Sequence, residues 1–91
     1  MNVYEILSKV QEIVKERGTE RDLSEGERSM KRCVLAFNAL TGKELTESQG
    51  WLFMLVLKLS RASTGNFSLD HRLDTIGYAA LLTECELKEN K

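Results

Sequence analysis

Basic side chains occur in two groups whose types and spacing suit the binding of an anion. Arg28, Lys31 and Arg32 lie on one side of a predicted helix, away from its apolar stripe, and Lys58 and Arg61 lie three residues apart on the next helix. Arginine binds phosphate oxygens in pairs and lysine adds a point charge. If the two groups converge, they form a site for a phosphate-bearing ligand, on which an aromatic ring could stack. The candidate ligand-binding residues are Arg28, Lys31, Arg32, Lys58, Arg61 and Tyr78.

Lys58 also has a second interpretation. It follows seven apolar residues, 51–57, so its ammonium must either extend to water or find a partner. Asp70 and Asp74, on the following helix, are the available carboxylates. In this alternative, Lys58 and Arg61 pair with Asp70 or Asp74 and hold the two helices together.

Carboxylates spaced four residues apart are the other chemical feature of the chain. Asp70 and Asp74 share one helix face, and Glu12 and Glu16 have the same spacing on the first helix. Two such pairs facing each other would offer Mg²⁺ the oxygen ligands it prefers. Glu12 and Glu16, however, lie opposite the apolar stripe of their helix, as expected of a solvated face. Asp70 also suits the positive end of its helix dipole.

Other reactive side chains lack neighbours that would activate them. His71 is the single histidine and has no serine or cysteine nucleophile beside it in the sequence. Cys33 and Cys85 have no nearby base and no metal-ligand spacing, so we expect both to be reduced and mostly buried. No catalytic residue, metal ligand or cofactor is therefore predicted from the residues alone, and Mg²⁺ enters only with the paired carboxylates.

Four helices are expected to position these side chains. Apolar residues recur at helical intervals, and no useful length of the chain alternates as a strand would. Ser, Thr or Asn followed three residues later by Glu or Gln marks three helix starts, and glycines mark the ends. The fold class is thus an all-α compact bundle, a single domain over residues 1–91. The predicted helices cover residues 3–17, 25–41, 47–63 and 69–88, with fraying at 89–91.

The third helix, residues 47–63, should be central. Its run at 51–57 is apolar on every side, and such a helix has to be covered on every side. The chain is small, and its third and fourth helices carry more apolar surface than one bundle of this size can bury. We therefore predict a homo-oligomer, most simply a dimer.

Composition limits the classes of partner. The 91 residues carry a net charge of −1, which offers no broad attraction to nucleic acid or acidic membranes. The run at 51–57 is too short to cross a bilayer, and Glu5 stands where a secretory signal would be basic. These features favour a cytoplasmic protein that binds neither nucleic acid nor a membrane.

From about residue 24 to residue 85, the chain resembles a group of small helical domains of unknown function encoded by tailed bacteriophages and prophages. The resemblance is carried by an ordered set of segments, at residues 26–32, 36–39, 50–54, 57–61 and 74–80. It implies an accessory phage gene product that acts in the bacterial cytoplasm. It supplies no catalytic residue.

Residues 73–82 also resemble the last helix of the all-helical nucleotide pyrophosphatases related to MazG. Those enzymes hold Mg²⁺ with a Glu-Glu-x-x-Glu run and a Glu-x-x-Asp run on neighbouring helices. Here His71 stands where the second run has its glutamate, and the first run is absent. Under this resemblance Asp70 and Asp74 would bind the metal.

Two functions follow from these observations. The first is a non-catalytic phage accessory protein that binds a host protein or a small nucleotide-like ligand. The second is a diverged Mg²⁺-dependent nucleoside triphosphate pyrophosphatase. The missing acidic run favours the first.

Overall fold

The computed structural model describes residues 1–21 and 29–90, and it confirms an all-α bundle. Its four helices are α1 (Val3–Arg21), α2 (Ser29–Thr41), α3 (Glu47–Ala62) and α4 (Leu69–Glu89). Within those two ranges there is no β-strand. The predicted helix start at Ser24 and Glu27 lies outside the described residues, and so does Arg28.

Side-chain caps fix the starts of α3 and α4 where the sequence predicts them. The Thr46 hydroxyl accepts a hydrogen bond from the Gln49 backbone N–H, and the Gln49 side chain accepts one from the Thr46 N–H. At α4 the Ser68 hydroxyl accepts from the His71 N–H, at 3.3 Å. These bonds satisfy backbone donors that the first turn of a helix otherwise leaves unpaired.

Glycine ends two helices but not α1. Gly42 and Gly65, after α2 and α3, have φ values of +74° and +72°, a conformation that glycine adopts without strain. The predicted end of α1 at Gly18 is wrong, because α1 continues to Arg21. A glycine stops a helix only where the chain turns left-handed, and Gly18 instead stays helical and buried. Because α1 has this extra turn, Arg17 lies within the helix and not at its end.

The helices pack in the order α2, α3, α4, α1, with the most extensive contact between α3 and α4. Gly50 lets α2 approach α3 closely, because a Cβ there would overlap the side chains of Met30 and Val34. The core formed in this way is small. It consists of Met30, Val34, Trp51, Leu81 and Cys85.

Polar bonds join the beginning of α3 to the end of α4. The Glu89 carboxylate accepts hydrogen bonds from the Ser48 backbone N–H at 3.3 Å and from the Ser48 hydroxyl at 2.6 Å. Ser48 lies in the first turn of α3, where the helix dipole favours a negative charge. The last turn of α4 therefore stabilises the first turn of α3. Glu89, expected to fray, is instead an ordered helical residue.

The prediction that the other helices cover α3 on every side is wrong for the single chain. Along its outer face Leu52, Phe53, Val56 and Leu59 are exposed by 47%, 69%, 55% and 50%. The α2 helix covers α3 only near Gly50, and α1 packs on α4 instead. We call these four exposed residues the α3 stripe.

Candidate functional site

Asp74 is the centre of an ion-pair cluster that joins three helices. Its Oδ1 lies 2.7 Å from Arg17 Nη2 of α1, and its Oδ2 lies 3.0 Å from Lys58 Nζ of α3. The side chains of Asp74 and Lys58 are only 11% and 13% exposed. We call these three residues the Asp74 triad. Each carboxylate oxygen thus has its own cation, and the partly buried negative charge is compensated.

The triad confirms the ion-pair interpretation for Lys58 and adds Arg17, which the sequence reasoning missed. A signal for Arg17 was present, because it follows Val10 and Val14 at i+7 and i+3, on the edge of the α1 stripe. The predicted end of α1 at residue 17 concealed that position. Its partner was not predictable either, because the sequence does not show that α1 lies against α4.

The charges in the triad determine the pKa of Asp74. Burial by itself would raise that pKa, but hydrogen bonds from Lys58 and Arg17, together with their positive charges, outweigh burial. The net effect lowers the pKa of Asp74 below its ordinary value of 3.8. The folded protein therefore favours the ionised carboxylate more than the unfolded chain does.

A pH dependence of stability follows from that direction. The stabilisation by Asp74 is complete above the unfolded pKa of about 3.8–3.9 and is lost as the pH falls through the lower, folded pKa. We expect the free energy of unfolding of wild type to exceed that of Asp74→Asn at pH 7, and the gap to close below pH 3.8. Urea unfolding of both proteins across this range measures it. A gap that stays constant down to the lowest pH would contradict the role assigned to the charge.

The candidate cations on α2 lie beside the Gly50 end of α3 rather than beside Lys58. Lys31 and Arg32 are exposed on α2, and Arg61 is exposed in the last turn of α3. The α2 helix contacts α3 at Gly50, eight residues and about 12 Å along the axis from Lys58.

Tyr78 packs against Trp51, with ring centroids 5.8 Å apart and planes tilted by 34°. Arg28 lies outside the described residues. The anion site as a whole remains a prediction.

A polar cleft of about 400 Å³ lies between α1 and α4, next to the triad. Glu16 and Asp70 line it with Asp74, Arg17 and Ile13, so carboxylates of two neighbouring helices meet there. Glu12 instead makes an exposed ion pair with Lys9, at 3.8 Å. Across residues 1–21 and 29–90, no three His, Cys, Asp or Glu side chains are placed to hold one metal ion.

A second, apolar groove of about 360 Å³ lies between α2 and α3. Phe37, Leu45, Phe53 and Met54 line it, and the close contact at Gly50 forms its floor together with Met30 and Val34. Phe53 belongs both to this groove and to the α3 stripe. Apolar surface is therefore continuous from α2 onto the outer face of α3.

The model of a family described as a domain of unknown function, DUF6378, matches residues 5–86. The chain belongs to the DUF6378 family. The matched range begins in the first turn of α1 and ends in the last turns of α4, so the domain includes the triad, the cleft and the apolar groove. No curated protein and no solved structure matches the chain.

None of the helices described for this DUF6378 domain combines the length and the apolar character needed to cross a membrane.

The imidazole of His71 has a buried Nδ1 that finds no hydrogen-bond partner among the described residues.

The two cysteines of the domain are free and differ in environment. Cys85 is buried, as expected, whereas Cys33 is exposed. Burial of the Cys85 thiol, the negative charge of Glu47 and the Glu89 carboxylate raise its pKa to about 12. Its Sγ lies 3.5 Å from Glu89 Oε2. A thiol with this pKa is almost entirely protonated at neutral pH, so Cys85 is not a nucleophile in the folded domain.

Thiol labelling tests this difference. We expect a colorimetric disulfide reagent at about pH 8 to modify Cys33 quickly and Cys85 only on unfolding, because roughly 10⁻⁴ of the Cys85 thiol is ionised at that pH. The readout is one thiol per chain in buffer and two in denaturant. Cys33→Ser is the matched control and should show no fast phase. Fast labelling of that variant would contradict the environment described for Cys85.

Proposed function

We propose that this DUF6378 domain is a non-catalytic accessory protein of a tailed bacteriophage, which binds a host protein in the bacterial cytoplasm. The observation that carries the proposal is the outer face of α2. Its exposed side chains combine apolar surface with positive charge. We call them the α2 outer face: Lys31, Arg32, Leu35, Ala36, Ala39 and Leu40.

The chemistry of this face suits a protein partner. Leu35 and Leu40 are exposed by 60% and 87%. Large apolar side chains that share one exposed face are typical of a site that contacts another protein. Lys31 and Arg32 are the only charged residues between Ser29 and Thr41, so α2 carries positive charge and no acid. Apolar anchors along one helix, flanked by cations, fit an acidic protein surface with an apolar patch.

The Asp74 triad supports binding over catalysis. The carboxylate best placed for general acid–base or metal chemistry already has a cation on each oxygen. An incoming Mg²⁺ would have to displace Lys58 or Arg17, leaving a mostly buried ammonium without its partner. The triad thus functions as a structural connection between helices.

Phage origin rests on the resemblance of residues 24–85 to phage-encoded helical domains, within a family match that spans residues 5–86. Small phage accessory proteins that act on host components need a binding face rather than an active site. The exposed α2 outer face meets that requirement.

Capture from bacterial extract, using variants of the proposed face, tests the function. We expect a host protein to be retained by wild type and lost with Lys31→Glu or Leu40→Ser. The matched controls are Lys43→Glu and Leu87→Ser, which make the same changes at exposed positions outside the α2 outer face. The recovered protein, once purified, should bind wild type and the controls with equal Kd. Retention by the Lys31→Glu and Leu40→Ser variants would overturn the assignment of the surface.

The same variants also test whether the domain binds a small phosphate-bearing ligand instead of a host protein. Thermal unfolding with linear and cyclic nucleotides would show a rise in Tm for wild type. If that rise disappears in Lys31→Glu but not in Lys43→Glu, the ligand is a nucleotide and the protein partner is not needed.

The cleft between α1 and α4 favours a second candidate, the MazG-like pyrophosphatase, because Glu16 and Asp70 meet there from neighbouring helices. Incubation with nucleoside triphosphates and Mg²⁺, followed by assay of released pyrophosphate, tests it. Activity lost in Glu16→Gln and Asp70→Asn, but kept in Glu12→Gln, would support the enzyme. These variants leave the Asp74 triad unchanged, and circular dichroism of each one distinguishes a loss of activity from unfolding.

A further inference from the structure

The α3 stripe is an unpartnered apolar face, and we propose that a second copy of this chain covers it. In this arrangement two α3 helices pack antiparallel about a two-fold axis near Val56. The proposal is independent of the host-binding function, because the α3 stripe and the α2 outer face share no residue.

The amount of exposed surface fits one missing interface. The chain exposes 6618 Å², whereas a folded monomer of 10.4 kDa exposes about 5,400 Å² by the usual scaling with mass. The excess is about 1,200 Å², and a stable interface buries about 800 Å² on each partner. The radius of gyration, 14.1 Å, likewise exceeds the value of about 12 Å expected for this length.

The chemistry of the α3 stripe makes it complementary to itself. Its four members are apolar, and the polar residues beside them on that face, Gln49 and Ser60, are uncharged. Lys58, the nearest cation in sequence, is bonded to Asp74 on the other side of α3. Two copies can therefore approach without bringing like charges together. A two-fold interface requires such a surface, because the same patch serves both sides.

Residue sizes favour the antiparallel arrangement. With Val56 on the axis, Phe53 of one copy faces Leu59 of the other, and Leu52 faces the small Ser60. Large residues thus meet smaller ones at each end of the contact, which suits close packing of two helices. The pairing also covers Phe53, where the α3 stripe joins the apolar groove. The second copy would then cover the open side of α3, so that the apolar run at 51–57 is buried on every side.

The mass of the protein in solution tests the proposal. At about 100 μM, light scattering with size exclusion should give twice 10.4 kDa for wild type, since a dimer with micromolar Kd is about nine-tenths associated there. Val56→Glu places two carboxylates together on the axis, so we expect a monomer with unchanged circular dichroism. Leu40→Glu, an equally drastic change on the α2 outer face, should remain a dimer. A monomeric wild type would overturn the proposal, as would a dimer that survives Val56→Glu.

Cross-linking tests the direction of the helices independently of Val56→Glu. In a Cys33→Ser background, Phe53→Cys and Leu59→Cys chains are prepared separately and then mixed. A short bismaleimide should link the mixed chains far more than either chain alone, because residues 53 and 59 face each other only across an antiparallel pair. Equal or stronger linking within each separate sample would indicate parallel helices and would overturn the arrangement.

Discussion

Replacing Asp74 with alanine should lower the free energy of unfolding by about 3–5 kcal/mol. The change removes the partner of the Lys58 ammonium, whose side chain is 13% exposed, and leaves that charge nearly buried and unpaired. A chain of 91 residues has a total stability of about 5–14 kcal/mol, so the variant would lose a large part of it. Urea unfolding followed by circular dichroism measures the difference.

Two further variants isolate the cause. Glu12→Gln removes the acid of an exposed pair, Lys9–Glu12, and should change stability by less than about 0.5 kcal/mol. The double variant Lys58→Met with Asp74→Leu replaces the buried charges by apolar groups of similar size and should recover most of the loss. If the double variant were as unstable as Asp74→Ala, the loss of unfolding free energy would not arise from the unpaired ammonium of Lys58.

Gly50→Ala should destabilise the domain by up to about 2 kcal/mol although alanine is the better helix former. The added Cβ would overlap Met30 Sδ and lie 2.9 Å from both Met30 Cγ and Val34 Cγ1. Met30 can bend away, but the branched Val34 is stiff, so α2 must shift. Overpacking of this kind costs about 1–3 kcal/mol, against a gain of about 1 kcal/mol in helix propensity. Thermal unfolding should show a lower Tm.

Gly77→Ala is the matched control, since it makes the same change inside α4. Its Cβ would lie 3.4 Å from Val14 and 3.7 Å from Val10, ordinary contact distances. We expect this variant to be unchanged or more stable by up to about 1 kcal/mol. In a Val34→Ala background the cost of Gly50→Ala should shrink, because the stiff neighbour is gone. Equal effects of the two glycine changes would contradict the close contact between α2 and α3.

The elements of the fold were predictable because their signals are local. The reciprocal bonds of Thr46 and Gln49 involve residues three apart, and Asn2 and Glu5 make the same pair at the start of α1. Such caps depend on side chains and backbone within one turn, so the sequence contains all the information they need. Gly18 failed as a stop because its outcome depends on tertiary packing, not on its neighbours along the chain.

The candidate site was only partly predictable, since it depends on which helices touch. An ion pair between Lys58 and α4 was predicted from a cation beside an apolar run, with Asp70 and Asp74 as the two possible partners, and the structure selects Asp74. Arg17 needed the knowledge that α1 lies against α4. Glu89 needed the knowledge that the end of α4 reaches Ser48. Surplus apolar surface on α3 was predicted from the sequence, but its position was not, because an apolar run does not reveal which of its sides the chain itself covers.

The layered order of the four helices has a consequence for how the protein opens. The helices α3 and α4 share the broadest contact and are joined by Asp74 at one end and Glu89 at the other, whereas α2 rests mainly on α3. Partial unfolding should therefore release the outer helices α1 and α2 first and leave the α3–α4 hairpin intact. In native-state hydrogen exchange, amides of α2 would exchange through a low-energy opening, and those around Trp51 and Leu81 only through global unfolding.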